Sequence, residues 1–212
     1  ASLASWLTAS DRATAIGEVV LDQAPTRAIR HASVVDPHLW MDASLWADST
    51  GAIVDVLSRL DPAGASLYRE RGAQTQQEML SLDEAIRANL MRLPPERRYL
   101  VTSHDAFHYF ARRYLADLDE ADWSDRVRAP EGLAPDGQLG PSDLQEIVDY
   151  VRLHDLKVIF PESNVSPDSV RKIAEIAPVE VCPETLYGDA TGRGGYFEMM
   201  RHNGDVLMRY LQ

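Results

Sequence analysis

The stretch VTSHDAFHYFARRYL, residues 101–115, sets His104 and His108 four residues apart, the spacing of neighbours on one helix face. Two imidazoles so placed can ligate zinc as a metalloprotease pair does, but that chemistry needs a Glu directly after the first His as general base. Asp105 stands there instead. His104 also falls at the junction between an apolar run, RYLVTS, and the helical pattern that follows, whereas His108 lies one turn in, between Phe107 and Tyr109. His104 is therefore read as a ligand candidate and His108 as a helix-surface residue. A protease pair is not the expectation.

Other candidate ligands also follow short apolar runs. LKVIF leads into Pro161 and Glu162, VEVC into the loop PETLYGDATG with Asp189, and ASVV into Asp36 and His38. In an open parallel sheet, ligands bind beyond the carboxyl ends of the strands, so such positions converge. Imidazole and carboxylate suit zinc, manganese or iron, and no thiolate stands among them to favour a softer metal. Each residue alone has a plainer reading: His104 as a hydrogen-bonded structural residue, Glu162 as a turn cap, Asp189 as a turn former between Gly188 and Gly192. Only their convergence favours a metal.

Those positions need an alternation of elements to present them, and the chain supplies one. A helix is expected from Leu3 to about Leu21, then a loop and the short strand ASVV. ASLWADSTGAIVDVLSRL repeats apolar residues at helical spacing, and DPAG punctuates it at 61–64. Residues 65–92 read as one long helix, polar nearly all round in its first half and apolar at Met79, Leu82, Ile86 and Leu90 in its second. Such a helix suits a bridge between lobes. Strand and helix then alternate from RYLVTS to a closing helix at GGYFEMMRHNGDVLMRYL, with a Pro/Gly/Asp-rich loop over 121–142. That alternation implies α/β architecture with parallel strands.

Composition narrows the chemistry. Among 212 residues, Asp and Glu number 33 against 21 Lys and Arg, a formal charge of −12. Without a basic cluster, nucleic acid is excluded as the expected partner. Cys182 is the single cysteine, so no disulfide forms within these residues and no thiolate knuckle can be built. No apolar run reaches the length of a membrane span.

Taken in order, DPHLWMD, SHDAFHYFARRYL, KVIFPESNVSP and LYGDATGRGGYFEMMRHN resemble the metal-binding solute-binding proteins of zinc and manganese ABC importers, cluster A-I. The resemblance covers the chain from about residue 36. It implies a two-lobed substrate-binding protein, with parallel sheets flanked by helices and one long interlobe helix. The implied division is residues 1–63 as the remainder of an N-terminal lobe, 64–93 as the linking helix and 94–212 as the C-terminal lobe. The implied role is to hold one divalent ion in the cleft and deliver it to a membrane permease, from a periplasmic or cell-surface position with a lipid anchor as one option.

Residue by residue, the resemblance puts ligands at His38, His104 and Asp189, and places Glu162 in the site as a carboxylate that orients a ligand imidazole. It also implies a preceding segment with a first histidine ligand, which nothing in this sequence supplies. The N-terminal lobe is thus expected to be incomplete, with an open metal position and strand edges prone to self-association. DQAPTRAIRHASVV holds only His31 where zinc receptors often carry a His-rich loop, which leans toward manganese, iron or a less specialised zinc receptor. Two rival functions share such a site. One is a metal-dependent hydrolase working at the open position, with Glu162 or Asp105 as base. The other is an adhesin-like surface lipoprotein.

Overall fold

The computed structural model describes residues 13–31, 34–130 and 141–212. The first turns of the helix expected from Leu3, and loop residues 131–140, lie outside the described residues. Helix α1 (Ile16–Gln23) buries Val20, and strands β1 (Arg30–His31) and β2 (Val34–Val35) pair antiparallel. The described part of ASVV, Val34–Val35, therefore pairs antiparallel with β1, and among the described residues it joins no parallel sheet. After it come α2 (Ala43–Trp46), α3 (Ser49–Leu60) and the 26-residue α4 (Ala65–Leu90).

Helix α4 buries Met79, Leu82, Asp83, Ile86 and Leu90, all in its second half, as the shift from a polar to an amphipathic pattern predicts. Its first half meets α3 closely. A Cβ at Gly72 would come within 2.4 Å of Val54 Cγ2, so a glycine is required at that crossing.

Strands β3 (Leu100–Val101) and β4 (Val127–Arg128) pair in parallel, as do β5 (Val158–Ile159) and β6 (Glu180–Val181). The Phe160 amide donates to the Val101 carbonyl at 2.9 Å and joins the two pairs. Alternation along the strands splits the core into two layers. Leu100, Val158 and Phe160 face a cluster with Phe107, Tyr109, Phe110 and Tyr114. Val101 and Ile159 face a second cluster under α6 (Pro141–Leu153) and α7 (Asp168–Ile176). Helix α8 (Gly195–Tyr210) closes the first layer, and α4 packs on it. The architecture is α/β, with a second correction beside that of β2: β4 lies inside the stretch read as a loop.

After His104 the chain turns into α5 (His108–Phe110), which continues as a π-helical turn over Ala111–Leu115. This segment is held from both sides by tyrosine hydroxyls. Tyr109 accepts from the Ile29 amide and Tyr114 from the Ala43 amide, each at 3.0 Å. Tyr114 in turn donates to Asp83 Oδ1 at 2.9 Å, and Arg113 Nε donates to the same oxygen at 2.8 Å.

Asp83 is only 2% exposed, so its charge depends on these partners. Asp83→Ala would strand the half-buried Arg113 guanidinium and the buried Tyr114 phenol, at a cost on the order of 1–3 kcal/mol. Removing the exposed carboxylate of Asp55 should cost under about 0.5 kcal/mol. Urea unfolding of both variants checks the difference, and equal losses would contradict the assigned role of Asp83.

Candidate metal centre

Three segments assemble the centre. In the first, Asp36 is fully buried and its Oδ1 accepts from the His38 amide at 2.9 Å, with His38 Nδ1 2.8 Å away. The short Asp-Pro-His turn thus fixes the ring by its Nδ1 side and leaves Nε2 pointing outward. In the second, the chain leaves β3 and turns at Ser103, where Thr102 Oγ1 donates to the His104 carbonyl at 2.9 Å. The His104 amide donates to Glu162 Oε1 at 2.9 Å, and His104 Nδ1 lies 2.9 Å from Glu162 Oε2. Glu162 comes from the end of β5, where it forms a parallel bridge with Leu186.

The third segment is the loop Leu186–Asp189. Asn203 on α8 clamps Tyr187 at both main-chain groups, at 2.9 and 2.8 Å. Trp40 Nε1 donates to the Gly188 carbonyl at 2.9 Å, tying this loop to the His38 segment. A Cβ on Gly188 would fall 2.6 Å from Glu162 Oε2 and 3.4 Å from His104 Cε1. Glycine is needed there because the loop passes directly over the His104–Glu162 pair. Asp189 then reaches both imidazoles: His38 Nε2 lies 3.3 Å from Oδ1 and His104 Nε2 3.2 Å from Oδ2.

The structure therefore brings His38, His104 and Asp189 together, each offering a ligand atom within 4.8 Å of the others. Zinc at about 2.1 Å from tetrahedral ligands puts those ligands about 3.4 Å apart, close to the 3.3 and 3.2 Å between each imidazole Nε2 and its Asp189 oxygen. Glu162 stands behind His104, at the nitrogen opposite the one facing Asp189. Asn164, which sequence reasoning missed, donates to Asp189 Oδ2 at 3.2 Å; no pattern in the sequence marks it. Both imidazoles are buried, whereas the Asp189 side chain is 31% exposed. A recess of about 240 Å³ lined by Trp40, Trp46, Tyr196 and Met199 opens beside it.

His108 corrects the sequence reading. It is buried at 7% exposure and does not sit on the helix surface. Because α5 begins only at His108, His104 precedes the helix, and the four-residue spacing does not put both rings on one face. His108 Nδ1 turns instead to Asp36 Oδ2, 3.3 Å away, and a buried carboxylate gives this polar ring a reason to be inside.

The electrostatics follow from these pairings. Burial alone would raise the Asp36 carboxyl, but the imidazoles of His108 and His38 hold it well below the usual carboxylate range. Burial opposes charge on His104 too, and Glu162 followed by Asp189 more than offsets it, so its pKa lies above the ordinary histidine value. In the metal-free chain, the His104 proton contributes stability that is fully present below about pH 6.5 and is lost as pH rises through the raised value.

Among known families, the chain matches the one described as "ZnuA: Zinc-uptake complex component A periplasmic" over residues 3–210. It is 32% identical over 209 residues to the metal-binding protein YtgA of Chlamydia pneumoniae, a match covering 95% of this chain and 64% of that protein. The chain thus spans less than two-thirds of that relative's length. Fe(III)-bound YtgA from Chlamydia trachomatis superposes with a TM-score of 0.95 at 29% identity, covering 100% of this chain and 75% of that one. The periplasmic zinc-binding protein TroA of Treponema pallidum superposes with a TM-score of 0.85 at 29% identity, covering 98% and 74%.

Replacing the carboxylate behind His104 tests the electrostatics. In Glu162→Gln, the His104 pKa should fall toward the ordinary value, readable by NMR titration of the ring protons. Metal affinity at pH 7.5 should weaken by about 10–100-fold, as for loss of other carboxylates that orient a ligand imidazole. An unchanged titration would refute the assigned cause of the shift.

Proposed function

The chain belongs to the ZnuA family of zinc-uptake components, and from that premise we propose that it is an extracytoplasmic receptor. In this reading it captures one divalent transition metal ion, zinc or manganese with iron as a further candidate, and hands it to the permease of an ABC importer. The ion is cargo, and the chain carries out no catalysis. The observation that carries the reading is the convergence of His38 Nε2 and His104 Nε2 on the two oxygens of Asp189, at 3.3 and 3.2 Å. The names of YtgA and TroA, given for metal and zinc binding, support it.

In this proposal, residues 1–63 belong to the first lobe, 64–93 form the linking helix and 94–212 the second lobe. His38 then comes from one lobe and His104 and Asp189 from the other, so the ion is held at their seam. Glu162 keeps the His104 ring turned toward the ion without ligating it. Asp189, as the exposed ligand, is the side from which the ion enters and leaves. The place of work is the periplasm or the outer cell surface, with lipid anchoring and self-association as further features of this reading.

A histidine must lose its proton to ligate. Because the His104 pKa is raised, affinity should decline as pH falls through a value above about 6.5. Calorimetric titration of chelator-stripped protein with Zn²⁺ and Mn²⁺ at pH 7.5 and 5.5 checks this. The expectation is binding at neutral pH, loss of at least tenfold in affinity at the lower pH, and loss of that binding event in His104→Ala. Affinity that does not change with pH would count against histidine ligation. Chelator-sensitive turnover of ester, phosphoester or peptide substrates by the zinc-loaded protein would favour the hydrolase instead.

A further inference from the structure

We propose a second divalent cation site, formed by His31 Nε2, Asp36 Oδ2 and His108 Nδ1, distinct from the centre at His38, His104 and Asp189. These three residues come from β1, from the turn after β2 and from the start of α5. Their ligand atoms lie within 4.8 Å of one another. Asp36 Oδ2 is 3.6 Å from His31 Nε2 and 3.3 Å from His108 Nδ1, and the two rings stand with centroids 4.4 Å apart.

Two features separate this arrangement from an ordinary hydrogen-bonded cluster. First, all three atoms are buried, and beyond the 3.3 and 3.6 Å approaches of the two rings to Asp36 Oδ2 none of them has another polar partner. A buried carboxylate oxygen and two buried ring nitrogens left in that state are destabilising, and one cation among them satisfies all three. Second, the spacings fall into two groups. Where a carboxylate only supports a ring, the distance is short: 2.8 Å for Asp36 Oδ1 and His38 Nδ1, and 2.9 Å for Glu162 Oε2 and His104 Nδ1. Where Asp189 faces the two imidazoles of the proposed first centre, it is wider, 3.2 and 3.3 Å. The second cluster belongs with the wider group, near the roughly 3.4 Å edge of a tetrahedral zinc shell.

Two imidazoles and a carboxylate with no thiolate suit Zn²⁺, with water completing the shell. The Asp36 side chain is fully buried and that of His108 nearly so at 9%, while His31 is 38% exposed and gives the ion its way in. Asp105 Oδ1 lies 4.0 Å from the other nitrogen of His108 and adds negative charge behind that ring. The HDAFH stretch would then carry one ligand for each of two sites.

The two sites share Asp36, whose Oδ1 holds His38, but they share no ligand atom, so truncating His31 or His104 tests each separately. The experiment is calorimetric titration of the chelator-stripped chain with Zn²⁺ at pH 7.5, in the parent, His31→Ala and His104→Ala. His31 is half-exposed, so its truncation should leave the fold intact, which circular dichroism and the unchanged first site would verify. Two ions per parent chain are expected, falling to one in each variant, with the second-site ion lost on His31→Ala. A single ion that survives His104→Ala and is lost in His31→Ala would also support the second site while sinking the first. A single ion unaffected by His31→Ala, or no binding at all, would overturn it.

Discussion

A histidine that is to bind an ion through one nitrogen must have the other held, and here buried carboxylates hold it. Asp36 takes Nδ1 of His38 and Glu162 takes Nδ1 of His104. Each pairing fixes the tautomer that leaves Nε2 as a lone-pair donor. The rest of the site follows from this constraint. Both carboxylates are almost wholly buried, so they must be ringed by donors, and the amides of His38 and His104 supply these. The loop above must come close enough to complete the centre, and only a glycine at 188 permits it.

In the proposed receptor, the metal and the proton compete for the same place. The acidic groups that raise the His104 pKa also favour a divalent cation at the site, because each stabilises positive charge whichever form it takes. Asp189 is the exposed member of the set. A centre closed on its histidine side and open at its carboxylate suits an ion that must later be given up, whereas a permanent structural ion would be sealed all round.

Much of the frame is legible in the sequence because it follows periodicity. Helix α4 appears where the apolar steps at Met79, Leu82, Ile86 and Leu90 place it, and the strands at Leu100, Val158 and Glu180 fall within the short apolar runs. The position of His104 just beyond β3 is also readable, whereas His38 follows an antiparallel pair and Asp189 lies in the loop after β6, so their convergence depends on contacts such as Trp40 with Gly188 that no local pattern marks. Strand β4 is not readable: two residues, Val127 and Arg128, have no period, and only pairing with β3 makes them a strand. The role of His108 was hidden for a related reason. Its burial depends on Asp36, seventy-two residues away, and local pattern suggests only a polar residue on a helix. His31 offers even less local signal, standing in a two-residue strand whose partner sets its direction.

The central claim is that carboxylates at Nδ1 leave both Nε2 atoms for the ion. Long-range ¹H–¹⁵N correlation of the histidine rings in the zinc-loaded protein tests it directly. The account predicts that His38 and His104 each show a protonated Nδ1 and a metal-bound Nε2. Coordination through Nδ1 in either ring, or a free Nε2–H, would contradict it.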